Sequence, residues 1–320
     1  MEADLTAELT PELTRPGDAV FAPLPQFGLL AVTGEEARGF LHAQLSNDIE
    51  HLPPDAARRA GYCSAKGRLL ASLVVIPSPD GFLLQLSRDL AAAIAKRLTM
   101  YVLRSKVKVI DASDASTQFG VWGRDAPSRL HSAGLKAPEG AMKVERSGTH
   151  SVLNLGDGRL LVLGSPETEE LLKSRFTRAA PELWTLADLR AGLPLVTLPT
   201  QDQFVPQMAN FELIGGIDFK KGCYPGQEIV ARTQYLGKLK RRMYRGEIEG
   251  PQSTTPLPGQ DLFGAAPQAI GTIVNAAPRP EGGMEFLAVL QSSAVEQGDE
   301  IHVGTPEGPV AHIASLPYSL

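Results

Sequence analysis

Cys223 follows two lysines, Lys220 and Lys221, and precedes a stretch that reads as a helix with Gln227 and Glu228 in its first turn. Neighbouring positive charge and a helix N-terminus both favour a thiolate over a thiol, which makes Cys223 the candidate reactive group. Glu228 at a helix start can stay ionised, accept hydrogen bonds or pair with Lys221, and Arg232 lies one turn later on the same face. Gly222 and Gly226 can take positive φ and let a ligand approach the backbone, while Pro225 stiffens the span between them. Taken singly, each residue has a bland reading: a small buried hydrophobe for Cys223, a helix-start charge for Glu228, solvated side chains for the lysines. Together, the run from Lys221 to Glu228 is hard to explain as packing.

The elements that must position this loop follow from periodicity. Residues 217–219 read as a short apolar strand leading into it. Upstream, residues 26–32 read as a strand, followed by a helix announced by Thr33 and Glu36 at capping-box spacing, with Ala37, Phe40, Leu41 and Leu45 on one face. Runs 59–64, 69–76 and 82–86 on short turns make an antiparallel meander, and a helix carrying Leu90, Ile94 and Leu98 leads to a strand at 106–110. Then come a strand at 118–122, a helix at 126–133 and a hairpin across Gly156-Asp157-Gly158. A helix starts after Ser165-Pro166, and Thr185 and Asp188 begin a short one that Gly192 and Pro194 stop. Such mixing is an α+β pattern. Residues 242–249, 269–275, 284–291 and 311–316 instead read as short strands between Gly/Pro-rich turns, a small β-barrel or sandwich.

At 320 residues, 43% hydrophobic and 21% charged, the chain has room for two or three domains around a sizeable core. Its formal net charge of -5 gives no global nucleic-acid footprint. The densest positive cluster is Lys238, Lys240, Arg241, Arg242 and Arg245, which reads either as a solvated barrel edge or as a patch for tRNA phosphates or an acidic protein. The acidic start, Met1 to Glu8, lacks signal-peptide features, and the apolar run 69–76 is far shorter than the roughly 20 residues that span a bilayer. The chain therefore reads as cytoplasmic, with no membrane contact. Two cysteines, Cys63 and Cys223, cannot assemble a disulfide scaffold, a zinc site or a four-thiolate cluster, so no metal is expected to be held by this chain alone. Whether Cys63 approaches Cys223 stays open.

Lys221-Gly222-Cys223-Tyr224-Pro225-Gly226-Gln227-Glu228 resembles the signature K-G-C-Y-x-G-Q-E of the YgfZ family, folate-binding relatives of the glycine cleavage T protein, an aminomethyltransferase. Phe204 to Phe211 resembles the family's F-x-P-Q-x-x-N stretch, and Phe40 to Asp48 and Leu316 to Leu320 are also similar. The resemblance implies a split α+β domain (1–47 plus 111–240), an inserted second α+β domain (48–110) and a C-terminal β-barrel (241–320), with a folate pocket at their centre. It implies tetrahydrofolate or a derivative as cofactor. It places aromatics for the ring at Phe27, where close relatives carry tryptophan, and at Trp184, with Tyr224, Gly226, Gln227 and Arg232 as further cofactor contacts. Cys223, Lys221 and Glu228 are then the catalytic set beside the folate. Where the aminomethyltransferases carry a pterin-binding Glu, this chain has Arg190, which cannot accept the pterin's N–H groups, so aminomethyl transfer is disfavoured.

The first functional expectation is thus a folate-binding accessory protein supporting iron-sulfur cluster assembly or repair, and thereby tRNA thiolation, rather than a classical enzyme. Its partners would be iron-sulfur client proteins such as radical tRNA-thiolating enzymes, with a weak tRNA contact. The alternative is a tetrahydrofolate-dependent one-carbon transferase, with Asp218 or Glu228 as acid or base. A third is a scaffold that keeps the pocket but uses no folate.

Overall fold

The computed structural model describes residues 19–235, 239–250 and 256–320. In chain order these form Val20–Pro23 (β1), Phe27–Thr33 (β2), Ala37–Gln44 (α1), Arg58–Cys63 (β3), Leu69–Ser78 (β4), Gly81–Ser87 (β5), Ala91–Val102 (α2) and Lys108–Asp111 (β6). Next come Thr117–Trp122 (β7), Ala126–Ser132 (α3), Val144–Ser147 (β8), His150–Asn154 (β9), Arg159–Gly164 (β10), Thr168–Lys173 (α4), Thr177–Arg178 (β11), Pro181–Arg190 (α5) and Gln227–Tyr235 (α6). The last part holds Arg241–Ile248 (β12), Asp261–Phe263 (β13), Ala269–Pro278 (β14), Met284–Gln291 (β15), Ser292–Gln297 (α7), Ile301–Val303 (β16) and Val310–Ala314 (β17).

Two open sheets and a closed barrel result. One sheet has the order β3-β4-β5-β2-β6, the other β11-β1-β7-β10-β9-β8, and the barrel runs β12-β15-β14-β13-β16-β17. The five-stranded sheet is buried on both faces, so strand alternation decides which core each residue joins. Leu30, Val32, Ala60, Leu73, Val75 and Leu84 pack with α1 and α2, whereas Phe27, Val74, Ile76 and Leu83 pack against Trp122, Leu161 and Trp184 of the second layer. On the outer face of the six-stranded sheet, Phe21, Val121 and Leu160 meet α3 and α4. This mixed α+β architecture with a C-terminal barrel is the one expected.

Several local expectations are corrected. Thr33 ends β2, paired to Gly81 and Lys108, so it is not a cap; α1 starts after Glu36, whose carboxylate accepts the Lys106 N–H at 2.6 Å instead. Residues 217–219 form no strand, because this segment is tied to the exit of α1: Asp218 N–H donates to Ser46 O at 3.0 Å, Ser46 Oγ to Gly216 O at 2.6 Å and Asn47 Nδ2 to Gly215 O at 2.6 Å. α5 begins at Pro181, ahead of Thr185. It is buried on most sides, with Trp184 in one core and Leu186, Ala187 and Leu189 in another, so its sequence carries little amphipathic signal. β2 joins the sheet of the meander through β5 and also pairs with β6.

The barrel is held to the rest by polar contacts from the stretch Phe204 to Phe211. Gln207 Nε2 donates to Val230 O of α6 at 2.7 Å, and Asn210 Nδ2 to Met243 O of β12 at 2.8 Å. Arg242 returns to Glu212 and to Gln207 O at 3.2 Å. The Tyr318 hydroxyl donates to Gly192 O at 2.8 Å, which anchors the C-terminal stretch beside α5. Arg190 faces the barrel and bonds Glu285 of β15 at 2.6 and 3.0 Å, with both side chains buried.

Arg190→Ala leaves the buried Glu285 carboxylate with only the more distant Arg245, 3.8 Å away, and is expected to cost about 3 kcal/mol. Adding Glu285→Leu should recover most of that loss; urea unfolding of the single and double variants checks both.

Candidate functional site

The signature loop is clamped onto the α1 face of the five-stranded sheet. Lys221, 9% exposed, donates from Nζ to His42 O at 2.6 Å and Leu45 O at 3.0 Å, closing the C-terminal end of α1, and lies 4.8 Å from the Tyr224 ring centre. A cation at a helix C-terminus satisfies orphan carbonyls and the helix dipole together. Burial nevertheless pulls Lys221 down to about 8, against the attraction of Asp48, Asp218 and Cys223. The expected pairing of Lys221 with Glu228 is absent among the described residues; its ammonium is committed to α1, and Glu228 is exposed.

Gly226 adopts φ +79°, and a Cβ there would lie 2.3 Å from Ser64 O and 2.6 Å from Gly67 Cα. Gly67, at φ +69°, is reciprocally covered by Ile229. The loop therefore seats on the turn after β3 through a contact between two glycines, for which no side chain leaves room. Gly222 does not take positive φ; it lies beside the His42 ring. Tyr224 is buried in the core on this side, next to Cys63, and burial raises its hydroxyl above the ordinary tyrosine range. Cys63 is free and buried, its thiol pushed up to about 12 by burial, whereas Cys223 is free and exposed.

The opposite face of the same sheet carries a cleft of about 600 Å³, part of it open to solvent. Phe27 of β2 and Trp184 of α5 both line it, together with Arg59, Val74, Gln85, Asp188, Leu195 and Phe211. Trp184 lies against Gly120 of β7, where a Cβ would meet the indole at 2.1 Å, and is 5.9 Å from the Trp122 ring. Behind it, fully buried Arg159 sits 4.6 Å from the Trp184 ring centre and bonds Asp157 at 2.6 Å and Asp188 at 2.7 Å. Burial opposes the Arg159 charge, but the two carboxylates outweigh it and raise the guanidinium. Behind Leu195 of the cleft wall, Asn275 of the barrel donates to Leu195 O and accepts from Leu195 N–H, both at 2.8 Å.

The two expected aromatics thus come together, but the expected catalytic set does not join them. Cys223, Lys221, Glu228, Tyr224, Gly226, Gln227 and Arg232 are not among the cleft's lining residues. The strand register explains this, because Tyr224 packs with the residues alternate to those that support Phe27 and Trp184. Arg59, Gln85 and Asp188 were missed as cleft residues. The available signal was a charge at the start of a strand that is otherwise uncharged from Ala60 onward for Arg59, and an acid on a buried helix for Asp188.

The positive cluster also changes meaning. Lys238 lies outside the described residues; Arg242 is bonded to Glu212 and Arg245 lies 3.8 Å from Glu285. β12 is not an edge, since β15 and β17 pair with it on either side. Among the described residues there is no group of three His, Cys, Asp or Glu side chains arranged to hold a metal ion, and no helix is long and apolar enough to cross a membrane.

No family model matches the chain. It is 30% identical over 307 residues to tRNA-modifying protein YgfZ of Cronobacter sakazakii, covering 93% of this chain and 92% of that protein, and the same figures hold for tRNA-modifying protein YgfZ of Shigella dysenteriae serotype 1. Among solved structures, the glycine cleavage system aminomethyltransferase T from Bartonella henselae superposes with a TM-score of 0.77 at 18% identity, over 95% of this chain and 87% of that one. That likeness establishes a shared fold.

Two outcomes are expected of the loop. Gly226→Ala combines a left-handed backbone with a clash against Ser64 O and should lose at least about 1–2 kcal/mol, seen as a lower Tm and faster proteolysis of the loop. Lys221 gives up its proton at about 8 when folded and at 10.5 when unfolded. Between those values unfolding takes up a proton, so this group's contribution to stability rises with pH. Urea unfolding below pH 8 and again between 8 and 10.5 should show wild type gaining relative to Lys221→Met; parallel behaviour of the two proteins would contradict it.

Proposed function

We propose, from the premise that this chain belongs to the YgfZ family, that it is a folate-binding accessory protein whose exposed Cys223 serves a partner in tRNA modification. The observation that carries this reading is the pairing of a ring-lined cleft with a rigidly held, solvent-facing cysteine on the other side of one sheet. Phe27 and Trp184 offer flat apolar surfaces to a pterin or aminobenzoyl ring, and Arg59, Gln85 and Asp188 add polar groups able to orient it. When bound there, a tetrahydrofolate supplies a reduced one-carbon carrier; the chain's own residues hold and orient it. Cys223 is free to meet a cluster, a persulfide or a thiol on an iron-sulfur client such as a tRNA-thiolating enzyme. Its exposure suits contact between molecules, and its absence from the cleft lining argues against direct attack on the folate. Lys240, just before the barrel strand β12, and Arg241 at its start are the cationic residues of the cluster left for a weak tRNA contact.

The one-carbon transferase reading is weaker. Its acid–base candidates, Asp218 and Glu228, belong to the loop rather than the cleft, and the position where aminomethyltransferases carry a carboxylate holds Arg190, turned to Glu285.

Two measurements test the proposal. With Trp122→Phe, Trp184 is the remaining tryptophan, and its fluorescence should respond saturably to tetrahydrofolate. Cys223→Ala should keep the Tm and that response while failing to restore tRNA thiolation in cells lacking the protein. Absence of any folate response would leave a scaffold that uses no folate, and full complementation by Cys223→Ala would remove the cysteine from the mechanism.

A further inference from the structure

The polar lining of the cleft is specific enough to name the ligand edge it reads. Arg59 of β3, Val74 of β4 and Gln85 of β5 form one row across the sheet, because Arg59 pairs with Val74 and Val74 with Gln85. Opposite this row, α5 brings Trp184 and Asp188 one turn apart on the same helical face. Among the described residues the Arg59 guanidinium makes no hydrogen bond or ion pair, although the charge of Asp188 acts on it. An arginine with five unused donors beside apolar walls is costly unless something accepts from it.

The acceptors are fixed in place. Asp188 engages Arg159 through Oδ1 at 2.7 Å, which leaves Oδ2 for the cleft, and Arg159 is itself locked by Asp157 and the Trp184 ring. Gln85 Nε2 donates to Gln118 Oε1 at 2.8 Å, and Gln118 Nε2 to Phe27 O at 3.1 Å, so the Gln85 amide is turned with Oε1 unused. A donor fork and two acceptors therefore surround a slot bordered by aromatic rings.

We propose that Arg59 and Asp188 read the lactam edge of a flat heterocycle: Arg59 donates to the ring carbonyl, and Asp188 Oδ2 with Gln85 Oε1 accepts from the adjacent ring N–H and exocyclic amino group. The 2-amino-4-oxo edge of a pterin has this pattern, so the inference rests on, and deepens, the folate reading. It also gives the cleft a carboxylate despite Arg190. Two residues along a helix turn the side chain by about 200°, so Asp188 faces the cleft while Arg190 faces the barrel.

Calorimetric titration with 6-methyltetrahydropterin, which lacks the glutamate tail, and with its 2,4-diamino counterpart tests this. Arg59→Met, which breaks no hydrogen bond of the fold, should lower the ratio of 4-oxo to 4-amino affinity about tenfold, the scale of one hydrogen bond to a charged group. Asp188→Asn should weaken the 4-oxo ligand by a similar factor, and its Tm reports whether the Arg159 network survives. If the wild type binds the 4-oxo pterin and Arg59→Met leaves the ratio unchanged, the edge assignment is wrong while the folate reading stands. If neither the pterin nor tetrahydrofolate binds the wild type, the folate reading falls and takes this one with it. Guanosine carries the same edge, so it should compete with the pterin and lose that competition in Arg59→Met; equal competition by adenosine, which lacks the edge, would overturn the proposal.

Discussion

A five-stranded sheet buried on both faces governs this molecule. Because successive side chains of a strand alternate, β2, β4 and β5 each contribute to two cores at once, and a slip by one residue would exchange them. Leu30, Val32, Val75 and Leu84 seal the core that seats the cysteine loop, while Phe27, Val74 and Gln85 belong to the side that opens as the cleft. The sheet thus separates the two kinds of chemistry while making them share one rigid support.

The loop and the cleft are each held by a device that tolerates little change. On one side, Gly226 and Gly67 meet backbone to backbone and Lys221 closes the end of α1. On the other, Trp184 is pressed onto Gly120 and backed by an arginine locked between two carboxylates. Buried ion pairs of this kind add little net stability, but loss of one partner is severe, so they fix geometry more than they add energy. The barrel takes part through Asn275 at the cleft wall and through Glu285, which holds Arg190 away from it.

Family membership and fold support a role in tRNA modification, and on the reading proposed above that role is divided in space. A cysteine that is exposed while its loop is rigid suits brief contact with another macromolecule, where a mobile loop would lose entropy on docking. A cleft lined by rings and a few fixed polar groups suits a small ligand held by shape and edge. Coupling between them has two routes, through the sheet or through Phe211, Ile214 and Leu193, which pack with the cysteine-side core and also line the cleft.

The sequence by itself determined the local elements and the chemistry of the loop. The 3.6-residue and two-residue periods placed α1, α2, the meander and the longer barrel strands, and the Lys221 to Glu228 run announced α6 and carried the family resemblance. Strands of three or four residues such as β1, β13 and β16 are too short to carry a period, and α5 is contacted on most sides and so has no polar stripe to read. Only the tertiary structure decided which side of the sheet each group occupies. It turned Lys221 to a helix end, Arg190 to the barrel and Asp188 to the cleft, and it set Arg59 in a row with Gln85. The reason is that these placements follow from register between strands distant in sequence, which pattern along one strand does not encode.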